Sequence, residues 1–303
     1  MADAWWDLLP INESFLISAA QHTAAAYSVS ESEEERAASF AAARAALHAG
    51  AAVELLSKSL LAKEHLALIM EKPGDAIPAK TTPLQLSKTA DAGVLQRLLC
   101  QHLSLDSRVS VLGASILSER NNAAHVGITG KTLSEIVDRL GLWIHFVQEA
   151  AQLQGTEWLP PEISAKQERR FNAFAYGLHQ KMSKARGVFT ARKLARERKS
   201  GDFEEWATQL EAELAASAPE EVGPDFDEAE KCPACGRKGR LWGVIDDVEY
   251  EYEGPGEYSQ NVVWSAYFQC PVCELGLDDD EYTAVSNPGW SEIRTRFNLL
   301  EST

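Results

Sequence analysis

Nowhere in the 303 residues is there an uncharged apolar run of the length a membrane-spanning helix needs, about 18 residues. A spanning helix is therefore excluded, and the Ala-rich stretch 37–56, interrupted by Arg44 and Glu54, is the nearest approach to one. The N-terminus has no early Lys or Arg and carries Asp3, Asp7 and Glu13, so it does not read as a signal peptide. A cytoplasmic protein with no membrane role is expected. Cations are scarce: 29 Lys and Arg stand against 45 Asp and Glu, for a net charge of -16. That balance argues against a general DNA-coating protein, because phosphate attraction needs a local excess of cations. Disorder throughout is excluded by 45% hydrophobic and 24% charged residues. At this length two domains are the default, since single cores rarely grow past about 250–300 residues.

The charge that is present is unevenly spread. Residues 1–150 are net -5 and residues 231–303 net -7. Between them, residues 166–199 hold eleven bases against Glu168 and Glu197, net +9, and residues 202–230 hold eleven acids and no base. A basic block followed directly by an acidic one requires an explanation.

Cysteine is also scarce, with five in all, but four of them come in pairs. Cys100 stands alone in an apolar run and reads as a small buried hydrophobe. Cys232-Pro-Ala-Cys235 and Cys270-Pro-Val-Cys273 are separated by 34 residues. Two C-x-x-C turns can present four thiolates to one tetrahedral Zn²⁺. A redox site needs only one such turn, and a reducing cytosol disfavours disulfides.

The hydrophobic pattern predicts a mainly α protein. Asn12 is placed to cap a first helix facing its core with Phe15, Leu16, Ala19, Ala20 and Tyr27. Ser32 and Glu35 make a capping box for a second, running through Phe40, Leu47, Ala51, Leu55, Leu56, Leu60 and Leu61 and stopped at Lys72-Pro73-Gly74. Further helices are expected at about 84–104, 107–121 and 131–153, the last with a Thr132/Glu135 capping box. Residues 162–218 look helical but polar, divided by Gly187 and Gly201, with Asp202 capping the final segment. Residues 219–230 read as a linker. From 231 to 285 the pattern turns to β-branched and aromatic residues, with Gly254-Pro255-Gly256 as a hairpin connection, the signature of a small zinc ribbon. Such a core is too small to hold unaided, so the metal would supply much of its folding energy.

One string carries possible chemistry: Leu117-Ser118-Glu119-Arg120-Asn121-Asn122-Ala123-Ala124-His125-Val126-Gly127. Arg is a fixed cation whose geometry matches phosphate, and His titrates where proton transfer near pH 7 requires it. Ala123 and Ala124 leave room for another chain to approach. Together these residues suggest cleavage or transfer at phosphate without a metal. The bland alternative is that Arg120 caps helix carbonyls and His125 donates to a turn.

Arg120-Asn121 and His125, within this helical context, resemble the HEPN proteins, helical bundles with an Arg, then usually an Asn, His or Asp, and a His four to six residues on. Residues 52–61 resemble that family's earlier helix, and the likeness spans about residues 10–153. Active members are metal-independent endoribonucleases that pair about a two-fold axis, so the resemblance implies a homodimer with two Arg/His pairs in one cleft. It implies that His125 takes the proton of a ribose 2′-OH, that Arg120 stabilises charge on the phosphoryl oxygens, and that Asn121 orients His125 or holds a phosphate oxygen. A role in a toxin or in defence follows by analogy alone. Glu54 reads as an i,i+4 partner of Lys58 with no chemical role.

The expected organisation is therefore a HEPN-like bundle over 10–160, a charged helical extension over 161–230, a zinc ribbon over 231–285 and a terminal helix or tail over 286–303. Lys181, Lys184, Arg192, Lys193, Arg196 and Lys199 form a candidate RNA track within the basic block, where Phe171, Phe174, Tyr176 and Phe189 are interleaved, Phe171 and Phe174 reading rather as packing on the bundle. The acidic ribbon is expected to be structural or to meet a protein partner or inhibitor, although Arg237, Lys238 and Arg240 could touch phosphate. Zn²⁺ on Cys232, Cys235, Cys270 and Cys273 is expected to be structural, with no cofactor for catalysis. A non-catalytic adaptor and a zinc-ribbon nucleic-acid-binding regulator are the alternatives.

Overall fold

The computed structural model describes residues 11–29, 35–70, 89–154, 158–199, 202–217, 226–254 and 257–286. Ser32, the Lys72-Pro73-Gly74 stop and residues 287–303 of the expected tail lie outside them. The protein is mainly helical with a small C-terminal antiparallel sheet. It forms two compact units, Met1–Phe171 and Asn172–Thr303.

In the first unit, α1 (Ile11–Ser28) and α2 (Glu35–Glu64) lie side by side, and α2 packs in turn on α3 (Ala92–His102), α4 (Ser107–Val126) and α5 (Leu133–Ala150). The alanines of α2 explain its central place. Ala41, Ala42, Ala43, Ala45, Ala46, Ala49 and Ala52 are all buried, so several helices approach its backbone closely. Phe40 and Leu47, expected in the core, are instead exposed at 72% and 39%. Of the seven residues expected on the core face only Leu56 and Leu61 are buried, because in an Ala-rich helix the small faces are the ones that neighbours approach. Asn12 lies inside α1 rather than capping it, and α2 ends at Glu64, where His65 caps a short 3₁₀ turn (Leu66–Ile69).

The expected face of α5 is fully buried, from Leu133 to Val147 with Trp143 at its centre, and the Thr132/Glu135 capping box is formed. Helix α3 is shorter than expected, beginning at Ala92 behind the Asp91 cap. Helix α4 is longer: Asn121–Val126 contains no breaker, and the helix ends at Gly127, whose φ of 76° closes a left-handed cap. Cys100 is buried, and burial pushes its thiol up to about 12.

Helix α6 (Pro161–Lys199) crosses the boundary between the units without a break at Gly187. A glycine costs an interior helix position only about 1 kcal/mol relative to Ala, too little to end a helix otherwise rich in Ala, Lys and Arg. In the second unit α6 is followed by α7 (Phe203–Ala216), which Asp202 caps through Glu205 N–H at 2.9 Å. Strands β1 (Phe226–Lys231), β2 (Lys238–Gly254), β3 (Glu257–Gln269) and β4 (Gly276–Leu277) follow, antiparallel in the order β1-β2-β3-β4. Strand β2 ends at Gly254 and β3 begins at Glu257, paired with each other on either side of the expected hairpin connection, whose Pro255 and Gly256 lie outside the described residues. Strand β1 occupies residues expected to be linker: its acidic sequence hides the pattern, and pairing with β2 makes it a strand. Helix α8 (Asp279–Ser286) closes the described chain, its acids serving partly as a cap, with Glu281 N–H on Asp278 at 3.0 Å and Asp278 N–H on Glu281 at 3.1 Å.

Candidate functional site

The first unit carries the Arg–Asn–His string on the last turns of α4, and α2 supplies the rest of the cluster. Arg120 Nη1 meets Glu54 at 2.7 Å, and Glu54 also accepts Lys58 at 2.5 Å. Arg120 Nε and Nη2 donate to Asn121 Oδ1 at 3.3 and 3.2 Å. The Arg120 stem crosses α2 at Gly50, where an added Cβ would come within 2.5 Å of Arg120 Cβ, so Gly50 is what lets the stem lie flat on α2. Burial alone would raise the Glu54 pKa, but hydrogen bonds and charge from Lys58 and Arg120 hold it below the usual carboxylate value. Glu54 is therefore a carboxylate at neutral pH.

Two features follow for chemistry. A guanidinium has five N–H donors, and Glu54 and Asn121 take three, so that among the described residues one on each Nη has no partner and is open to an anion. His125 is exposed, with no described residue hydrogen-bonded to it. On an unbroken helix it lies one turn beyond Asn121 but about 140° around the axis from Arg120. Arg120 and Asn121 are thus brought together, while His125 is presented to solvent beside them. The Glu54–Lys58 pair is as expected. The arm from Glu54 to Arg120 was missed, and its only trace in the sequence is Gly50 one turn before Glu54.

The second unit brings its four paired cysteines into one cluster, every Sγ within 4.8 Å of the others. Cys232, Cys270 and Cys273 are buried and Cys235 half-buried. Antiparallel pairing places both turns at the same end of the sheet, one between β1 and β2, the other between β3 and β4. Cys232 to Cys273 and Cys235 to Cys270 are each 3.6 Å. A tetrahedron with 2.3 Å metal–sulfur bonds has edges of about 3.8 Å, so the cluster has the size to hold a metal ion. Hydrogen bonds from Cys232, Cys235 and Cys273 drive the Cys270 thiol far down, while those with Cys232, Cys235 and Cys270 drive Cys273 far up. A bound cation is what would let all four ionise together.

The proposed RNA track is divided by helix geometry. Lys181 pairs with Glu281 at 2.6 Å, and Arg192 donates to the Pro271 and Val272 carbonyls and to Glu274. Arg196 lies 4.8 Å over the Trp206 ring, and Lys193 reaches Glu197 at 4.0 Å. Lys184 and Lys199 are exposed. Phe189 packs edge-on against Phe203 rather than facing solvent for stacking. Nor are the ribbon's arginines open to phosphate. Arg237 is held by Glu204 and Glu211 at 2.6 and 2.8 Å, and Arg240 by Asp227 and the carbonyls of Leu214 and Ser217. The acidic block is thus in part the counter-charge of the ribbon. Lys181 and Arg192 of the basic block likewise pair with Glu281 and Glu274, so members of both blocks find counter-charges in the ribbon. Among the described residues no helix is long and apolar enough to cross a membrane.

No protein-family model matches this chain, and comparisons with curated proteins and with solved structures find no match either.

Proposed function

We propose that the chain is a metal-independent endoribonuclease of the HEPN type, working as a homodimer, with a structural zinc ribbon. The observation that supports this most is the setting of Arg120, oriented on two sides by Glu54 and Asn121, with one N–H on each Nη without a partner among the described residues, on the same helix end as the exposed His125. A phosphodiester offers two oxygens that such a fork can receive. His125 takes the proton of the ribose 2′-OH, the 2′ oxygen attacks the adjacent phosphorus, and the P–O5′ bond breaks. The proton held by His125 then returns to the departing 5′ oxygen. The products are a 2′,3′-cyclic phosphate and a 5′-hydroxyl, and DNA, lacking the 2′-OH, is not cut.

The 140° separation of Arg120 and His125 on one helix favours a two-chain site, in which a two-fold axis sets the string of one protomer against that of the other. A toxin or defence role in the cytoplasm suits such a nuclease. Zinc suits four thiolates at tetrahedral spacing.

The adaptor reading draws on the same ion pair, since an arginine already tied to Glu54 also serves a purely structural end. Purified protein incubated with total RNA in EDTA separates the two. Cleavage is expected, leaving cyclic phosphate ends, and Arg120→Ala and His125→Ala should each lower it by at least ~10²-fold with the helical signal intact. Wild-type rates in either variant would remove the nuclease reading.

A further inference from the structure

The two cysteine turns are close copies with one difference. In Cys232-Pro-Ala-Cys235-Gly236 the residue after the second cysteine is a glycine at φ 76°, where glycine is at ease. In Cys270-Pro-Val-Cys273-Glu274 the same place is held by a glutamate at φ 60°, a conformation that side chains disfavour. Something must hold the second turn in shape, and Arg192 of α6 is in place to do so. Its Nη1 donates to the Pro271 carbonyl at 3.1 Å and the Val272 carbonyl at 3.0 Å, and its Nη2 to the Glu274 carboxylate.

A peptide unit is planar, with its N–H opposite its C=O. Fixing the Val272 carbonyl on Arg192 therefore fixes the Cys273 N–H on the far side of the same unit, and that N–H donates to the Cys270 sulfur. The first turn is braced differently, from α7, whose Glu204 and Glu211 hold the Arg237 side chain just beyond it rather than the carbonyls between its cysteines. There the Arg237 N–H donates to Cys235, and the Arg237 carbonyl accepts the Cys232 N–H at 2.8 Å.

We infer that Arg192 is a positioning residue of the four-cysteine centre. By gripping the outer carbonyls of the 270–273 turn and Glu274, it aims the Cys273 N–H at the Cys270 sulfur and sets a fixed cation beside the thiolates, so that metal retention and the order of the C-terminal part of α6 are coupled. Four thiolates around a divalent ion carry a net charge of about -2, which a neighbouring guanidinium offsets. The inference rests on the cluster holding a metal, and it assigns one cation of the supposed RNA track to the ribbon instead.

The test uses the full chain loaded with zinc, mixed with an excess of a chromogenic chelator, together with hydrogen exchange over residues 186–199. Arg192→Gln should release zinc ~10–100-fold faster than wild type, the range typical for loss of an outer-shell partner. Arg192→Lys should fall between, because an ammonium cannot fork to two carbonyls and a carboxylate. Lys181→Gln, which loses only its pair with Glu281, should release zinc at the wild-type rate. Cobalt-loaded Arg192→Gln should keep the wild-type thiolate–cobalt absorption, showing that all four sulfurs still bind. If Arg192→Gln does not fold, Glu274→Gln loses one arm of the grip and should show a smaller acceleration. Stripping the metal from wild type should speed exchange over 186–199. Zinc release unchanged in Arg192→Gln, or in Glu274→Gln where that variant stands in, would overturn the inference, as would exchange indifferent to metal. A wild-type chain that takes up neither zinc nor cobalt would overturn the metal reading, and this inference with it.

Discussion

Most of the residues buried in the unit ending at Phe171 are apolar, and Leu56, Leu95, Leu99, Leu140, Trp143 and Ile144 have no exposure. In the unit from Asn172 onward, the buried residues in and around the sheet whose burial is described are fewer. They gather about four sulfurs, with Leu241, Phe268, Val272, Leu275, Leu277 and Tyr282. Charge is used differently too. The first unit sets the Glu54–Lys58–Arg120 cluster and the Arg170–Asp138 pair on a mostly apolar bundle. The second uses arginines as its fasteners: Arg192, Arg237 and Arg240 each join a helix, a cysteine turn or a strand to another element. A basic block beside an acidic block is thus as much a sign of internal pairing as of a nucleic-acid surface.

Metal removal should separate the two units most sharply. Structural zinc contributes on the order of 10 kcal/mol in small zinc-dependent folds, so a strong chelator, or Cys273→Ser, should abolish hydrogen-exchange protection in β1–β4 while α2 and α5 keep theirs. Loss of protection in both units together would show that they are not independently stabilised.

A core truncation is the converse. Leu56→Ala should cost the bundle about 2–5 kcal/mol, read from its urea unfolding, with the zinc content of the chain unchanged. A drop in zinc content would break the comparison.

The smallest effect sharpens it. Because the folded-state pKa of Glu54 is depressed, its contribution to stability is complete above the ordinary glutamate value of about 4.3 and is lost as pH falls through and below that value. Glu54→Gln should cost about 1 kcal/mol at pH 7 and should remove this part of the acid sensitivity of bundle unfolding. An identical pH dependence in the variant would mean that the cluster does not stabilise the bundle.

Local features were legible because their causes lie within a few residues. The Thr132/Glu135 box and the Asp202 cap each depend on neighbours in the chain, whereas the left-handed stop at Gly127 lay beyond the helix end expected near 121. The cysteine pairs were legible because a C-x-x-C turn is itself half of a metal site. Glycine was over-read at Gly187, where the cost of one residue does not outweigh a long helix, and under-read at Gly50, where its smallness matters only because Arg120, 70 positions away, crosses it.

The sequence alone determined the helical and β halves, the register of α5 and the four sulfurs, since periodicity and short-range turn chemistry act before any packing. Tertiary structure alone decided which charges meet. A lysine or arginine is the same cation wherever it stands in the sequence. Only folding decides whether it faces a carboxylate, as Lys181 and Arg237 do, a peptide carbonyl, as Arg192 does, or water, as Lys184 does. Pairing of that kind depends on distance in space, which the order of residues does not contain.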